Sequence, residues 1–164
     1  MAKKKKVNKS ETLLRKGIAL VAAVVTFVFF FLEMIAFKTV GKNLLTGKKV
    51  VDTTGVKVSD FLFNSDYELF RETYSTANTI LWIAFVLVVL SVVVLVASLL
   101  LKKNGSLLAK VGAGLLVLGL LAMFVINVDK TEVVVTYYTN ITAFYFVALA
   151  LSLVGFASVV TLKK

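Results

Sequence analysis

The chain of 164 residues contains no cysteine, no histidine and no proline, and only 17% of it is charged. Without Cys or His there is no disulfide framework, no thiolate nucleophile, no imidazole base and none of the soft ligands of a structural zinc site. The missing proline removes the commonest cause of a sharp helix kink. Apolar residues fill the space: they make up 59% of the chain, against roughly 45–50% in an average soluble domain. The composition is that of a membrane protein.

Four runs approach or exceed the ~20 apolar residues that cross a hydrocarbon core. They predict spans at about 17–37, 80–101, 107–126 and 141–162 of a single membrane domain, 17–162, with a basic tail at 1–16, connections at 38–79 and 127–140, and a basic end at 163–164. The first span is uncharged except for Glu33, and the second carries no charge at all. In the third, the uncharged part is short enough that Lys110 must snorkel to the interface. Lys3, Lys4, Lys5 and Lys6 before an apolar stretch have the outline of a signal peptide. The first run is longer than the roughly 7–15 residues of an h-region and lacks a small-x-small cleavage pattern, so it reads as an anchor that stays.

Orientation follows from Lys and Arg, which accumulate on the cytoplasmic side. With four spans both termini share a side, and that side holds 12 basic residues against 7 on the other. Both termini are therefore expected in the cytoplasm, in a multi-pass protein of the plasma membrane. Of the acids only Glu11 lies on that side, so the formal +10 of the chain divides into +11 inside and −1 outside. Tyr67, Tyr74, Trp82, Tyr137, Tyr138 and Tyr145 all fall toward the outer ends or loops, where an aromatic belt is expected.

Lipid supplies no hydrophobic drive between helices, so small residues mark the contact faces. Such residues recur every seven positions: Ala19, Thr26 and Glu33; Ala84, Ser91 and Ser98; Gly105, Gly112 and Gly119; and, in the fourth span, either Ala143, Ala150 and Ala157 or Ala148 and Gly155. A seven-residue recurrence is the seam of a left-handed bundle. The expected fold is an all-α transmembrane, left-handed four-helix bundle with a small β-containing extracytoplasmic cap.

Glu33 is the one ionisable residue within a predicted span away from its cytoplasmic end. A carboxylate in the membrane is a functional-site hypothesis by default. Its neighbours at the same level are Asn78, Thr79 and Asn127, so Glu33, Asn78 and Asn127 form the candidate intramembrane polar site, either a structural cluster or a proton or cation site. At the other end Lys3, Lys4, Lys5, Lys6 and Lys9 are candidate contacts to anionic lipid headgroups of the inner leaflet.

The first outer connection is too long to be structureless in a compact domain. Residues 49–53 and 55–58 predict two short strands, with Thr46-Gly47 and Thr54-Gly55 as turns. Ser65 and Glu68 fit a capping box ahead of an amphipathic turn with Tyr67, Leu69, Phe70 and Tyr74. Residues 133–138 have high β propensity and are expected to pair with the first connection in a small sheet over the bundle.

A long β-rich first outer loop, a short inner loop and a shorter second outer loop together resemble the claudin-like four-helix layout. The Trp and Cys pair of the claudin first loop are absent here, so the resemblance is one of topology. The chain is also similar to small uncharacterised four-span membrane proteins of low-GC bacteria, in which a Thr-Gly-hydrophobic segment, here Thr54-Gly55-Val56, precedes a Phe-containing turn, here Ser59-Asp60-Phe61-Leu62-Phe63. That resemblance implies a fold and no activity.

The outer acids Asp52, Asp60, Asp66, Glu68 and Glu72 lack the spacing of a calcium loop, and no phosphate-cradling glycine loop is present. No aromatic interleaves with the tail lysines, so nucleic acid is not an expected partner. No cofactor or metal is implied, and no reacting pair suggests an enzyme. The expectation is a membrane scaffold or accessory protein presenting its cap to another envelope protein. The alternative is a small oligomeric transporter or channel that uses Glu33.

Overall fold

The computed structural model of the protein describes residues 9–42, 46–101, 104–126, 130–131 and 135–162. Four long helices dominate: α1 (Lys9–Phe29), α4 (Ser75–Leu100), α5 (Gly105–Phe124) and α6 (Ala143–Val160). Each is long and apolar enough to cross a membrane. Between α1 and α4 lie strands β1 (Ile35–Lys42) and β2 (Lys49–Val56), the short helix α2 (Val58–Phe63), a 3-10 turn (Ser65–Tyr67) and the short helix α3 (Glu68–Thr73). Between α5 and α6 lie β3 (Lys130–Thr131) and β4 (Val135–Ile141). The strands form one antiparallel sheet in the order β2-β1-β4-β3, of which the fourth member, β3, is only two residues long.

The first helix starts earlier and ends earlier than the apolar run suggests: it stops at Phe29, and Ile35–Lys42, whose first residues were expected in the span, is a strand. No Gly or Pro marks the stop. Bonds from Phe30 N to Phe27 O, Phe31 N to Val28 O and Leu32 N to Phe29 O tighten the last turn, the 3-10 closure common at helix ends. Tertiary donors then take the next carbonyls. Ser59 N donates to Phe30 O at 2.9 Å, Thr142 N to Met34 O at 3.1 Å and Thr142 Oγ1 to Glu33 O at 2.5 Å. Extended backbone at this point is satisfied by the entry to α6, which is the condition for leaving a helix near lipid.

From there β1 pairs on both sides, Ile35 opposite Val56 in β2 and opposite Ile141 in β4. The β run before the fourth span does pair with the first connection, as expected, although residues 133–134 of that run lie outside the described residues. In place of the two strands expected at 49–53 and 55–58 there is a single strand. β2 runs unbroken through Thr54-Gly55, and Val58 already belongs to α2. The Glu33 side chain lies over Gly55, and a Cβ there would require the carboxylate to swing aside. Gly47, with φ +64°, makes the turn before β2, as its sequence suggests. The cap at the 3-10 turn is Asn64 rather than Ser65: its side chain accepts from Asp66 N at 3.1 Å. Arg71 Nη1 donates to Phe61 O and Asn64 O at 2.9 and 2.7 Å, holding the end of α2.

In the bundle α4 packs most extensively on α5, α1 on α6, and the ring closes through α5 on α6 and α1 on α4. The faces that meet are those with small residues. Ala19 and Thr26 of α1, Ala84, Ser91 and Ser98 of α4, and Gly105, Gly112 and Gly119 of α5 are buried. In α6 the face is Ala148, Ser152, Gly155 and Val159, whereas Ala143, Ala150 and Ala157 are exposed. Of the two stripes open in the fourth span, the one with the glycine wins, because only a residue without Cβ lets the backbones approach.

Two tyrosines of the expected aromatic belt turn inward. Tyr145 is fully buried and its hydroxyl donates to Leu120 O at 2.7 Å, while Tyr74 is buried where α3 gives way to α4. Trp82 remains at the surface with Phe63 and Phe85, rings meeting edge to face at 5.2 and 5.3 Å around Phe63. The side chains of Tyr137 and Tyr138 lie outside the described set.

Candidate functional site

The sequence placed Glu33 inside the first span. In the structure it follows the end of α1, in the connection to β1, and it is exposed. Its carboxylate lies against Gly55 of β2, and its backbone carbonyl holds Thr142 at the start of α6. Asn78 is half-buried in the first turn of α4, its Oδ1 buried without a partner among the described residues. Thr79 turns to its own helix, Oγ1 donating to Ser75 O at 3.0 Å. Among the described residues no hydrogen bond joins Glu33 to Asn78 or Thr79, and Asn127 lies outside the described residues.

Two other buried hydroxyls, Thr26 Oγ1 and Ser91 Oγ, lack partners among the described residues. Asn78 and Ser91 are both on α4, separated by about 20 Å at ~1.5 Å per residue. The four long helices hold a single acid, Glu11, in the first turn of α1. No group of three or more acids that could hold a metal occurs among the described residues.

At the opposite end of the bundle Lys9 is exposed at the start of α1, and Lys3, Lys4, Lys5 and Lys6 lie outside the described residues. Lys16, which the sequence offered only as a topology charge, is a structural element. It is 9% exposed, and its Nζ donates to Ser98 O at 2.7 Å. Ser98 belongs to the last turn of α4, where carbonyls lack helical partners and the helix dipole favours a cation. Gly105, the first residue of α5, makes room: a Cβ there would lie 2.5 Å from Lys16 Nζ and 2.6 Å from Ser98 O. One ammonium thus clips α1 to the junction of α4 and α5. The signal was present in the seven-residue spacing of Lys16 with Ala23 and Phe30, both fully buried.

One feature open to another molecule is the sheet edge. Among the described residues β2 pairs only with β1, and its residues 49–54 are exposed on both faces, with Val50 at 52% and Val51 at 53%. Such an edge presents a row of unpaired backbone groups, the template for strand addition. On the other side of the sheet, among the described residues, β3 pairs with Thr136 and Tyr137 of β4. The chain matches no protein-family model and no curated protein.

Proposed function

We propose that this protein is a non-enzymatic membrane scaffold or accessory subunit that receives a partner protein of the envelope along the edge of β2. Both termini are cytoplasmic in this reading and the sheet stands on the outer side, an orientation supported by the excess of basic residues at the terminal side. The left-handed sense of the bundle belongs to the same reading: the buried positions Ala84, Ser91 and Ser98, and Gly105, Gly112 and Gly119, recur with the seven-residue period of a left-handed supercoil.

The observation that carries the proposal is the exposure of β2 on both faces and along its outer edge. An edge of this length with two exposed valines is a hazard to a protein that keeps it uncovered. A photo-crosslinking residue placed at Val50, Val51 or Thr53 in cells is expected to capture one defined envelope protein, and the same residue at Val93, on the exposed face of α4, is not. Capture of nothing from β2, or the same products from both places, rejects the docking role.

A further inference from the structure

Between α1 and α6 the surface carries a slot of about 430 Å³, walled by Leu14, Ile18, Val21 and Val25 of α1 and by Leu151 and Val154 of α6. Below it the two helices make a close approach, at Gly155, where an added Cβ would lie 2.9 Å from Ala22 Cβ. From Leu14 to Val25 the slot runs ~16 Å along α1 at ~1.5 Å per residue, about half of the ~30 Å hydrocarbon core. All of the side chains that line it are apolar, and the slot opens along its length toward the hydrocarbon that surrounds the bundle. An apolar groove of this length suits a flexible hydrocarbon chain laid along it.

Its chemistry changes at one end. Arg15 lies on the same row of α1 as Ile18, Ala22 and Val25, and Thr161 continues the row of Leu151 and Val154 on α6. Arg15 Nη1 donates to Thr161 Oγ1 at 2.8 Å, so guanidinium and hydroxyl join the same two helices that wall the slot. Arg15 Nη2 pairs with Glu11 at 2.5 Å. These two bonds use two of five N–H donors. The side chain is 36% exposed, and its planar fork suits a phosphate. Lys9 precedes it on α1, and by sequence Lys163 and Lys164 follow Leu162.

From this arrangement we propose that the slot between α1 and α6 binds one acyl chain of an anionic phospholipid of the membrane, with the lipid phosphate received at Arg15. The site is independent of the docking role of β2.

The test uses the full chain, purified in detergent with phosphatidylglycerol or phosphatidylcholine, and native mass spectrometry to count retained lipid. Gly17 also lines the slot, and nothing lies within 4 Å of the place its Cβ would take, so Gly17→Leu puts a side chain into the slot from an open position. The wild type is expected to retain one phosphatidylglycerol per chain and to prefer it over phosphatidylcholine roughly 5-fold, the share of one basic residue near an anionic lipid. Arg15→Gln should abolish the preference and leave residual retention of both lipids. Gly17→Leu should lose retention of both while unfolding at the wild-type temperature, and Val154→Phe repeats the test from α6. Equal retention of the two lipids by the wild type overturns the headgroup assignment. Retention unchanged in both Gly17→Leu and Val154→Phe, or a second copy of the chain crosslinked into the slot, overturns the site.

Discussion

A lysine drawn into a helix junction costs solvation, and the structure shows what offsets it at Lys16. The ammonium meets Ser98 O at 2.7 Å, at the negative end of the α4 dipole, beside a residue that has no side chain to displace it. Hydrogen bonds involving a charged group contribute about 1.5–3 kcal/mol each. Lys16→Met keeps the stem and removes the donor, leaving a carbonyl of the last turn without this partner. It is expected to destabilise the folded protein by about that amount, read as a lowered unfolding midpoint in micelles. An unchanged midpoint would show that Ser98 O finds another donor. Glu33 makes the opposite case. The sequence drew attention to it through its position in an apolar run, yet its carboxylate is exposed and its backbone is what the fold uses. A residue's chemistry was legible in both cases, and its surroundings were not, because burial depends on where a neighbouring element stops.

At the scale of elements, the helices follow from apolar length and the contacts from small residues. Gly155 is a close approach between α1 and α6, against Ala22 and Ala19. A larger residue forces the two helices apart, and overpacking of this kind costs about 1–3 kcal/mol. Gly155→Leu is expected to lower the unfolding midpoint accordingly, while Gly114→Leu on α5, where an added Cβ meets nothing within 4 Å, should leave it near the wild-type value. Equal effects would mean that the α1–α6 contact is not close-packed. The strands were only half legible. The β-branched content of 49–53 and 133–138 pointed to a sheet, but its central strand β1 was hidden in the end of an apolar run. Ile35, Ala36 and Phe37 suit a span and a strand alike. Thr142 and Ser59, distant in sequence, decide between them by capturing the carbonyls there.

For the whole molecule, one end of the bundle holds the start of α1, the end of α6, Lys16 and Arg15, and the other carries the sheet and the short helices α2 and α3. Orientation in the membrane can be measured without background labelling, because the chain has no native cysteine. A single Cys at exposed Ser65 is expected to react with a membrane-impermeant maleimide in intact cells, and one at exposed Lys9 only after the membrane is opened. The reverse pattern would invert the proposed orientation and place β2 on the cytoplasmic side.

Composition alone determined that this chain belongs in a membrane environment, since four apolar runs of spanning length have no other favourable solvent. The seven-residue recurrences in the second and third spans likewise named the faces that meet, because close packing of helices in lipid depends on small residues. Tertiary structure decided the rest: where α1 ends, which stripe of α6 turns inward, that Lys16 is buried and Glu33 is not, and that β2 is left as an open edge. Each of these depends on a hydrogen-bond partner or a steric neighbour tens of residues away. A local pattern does not specify such a partner.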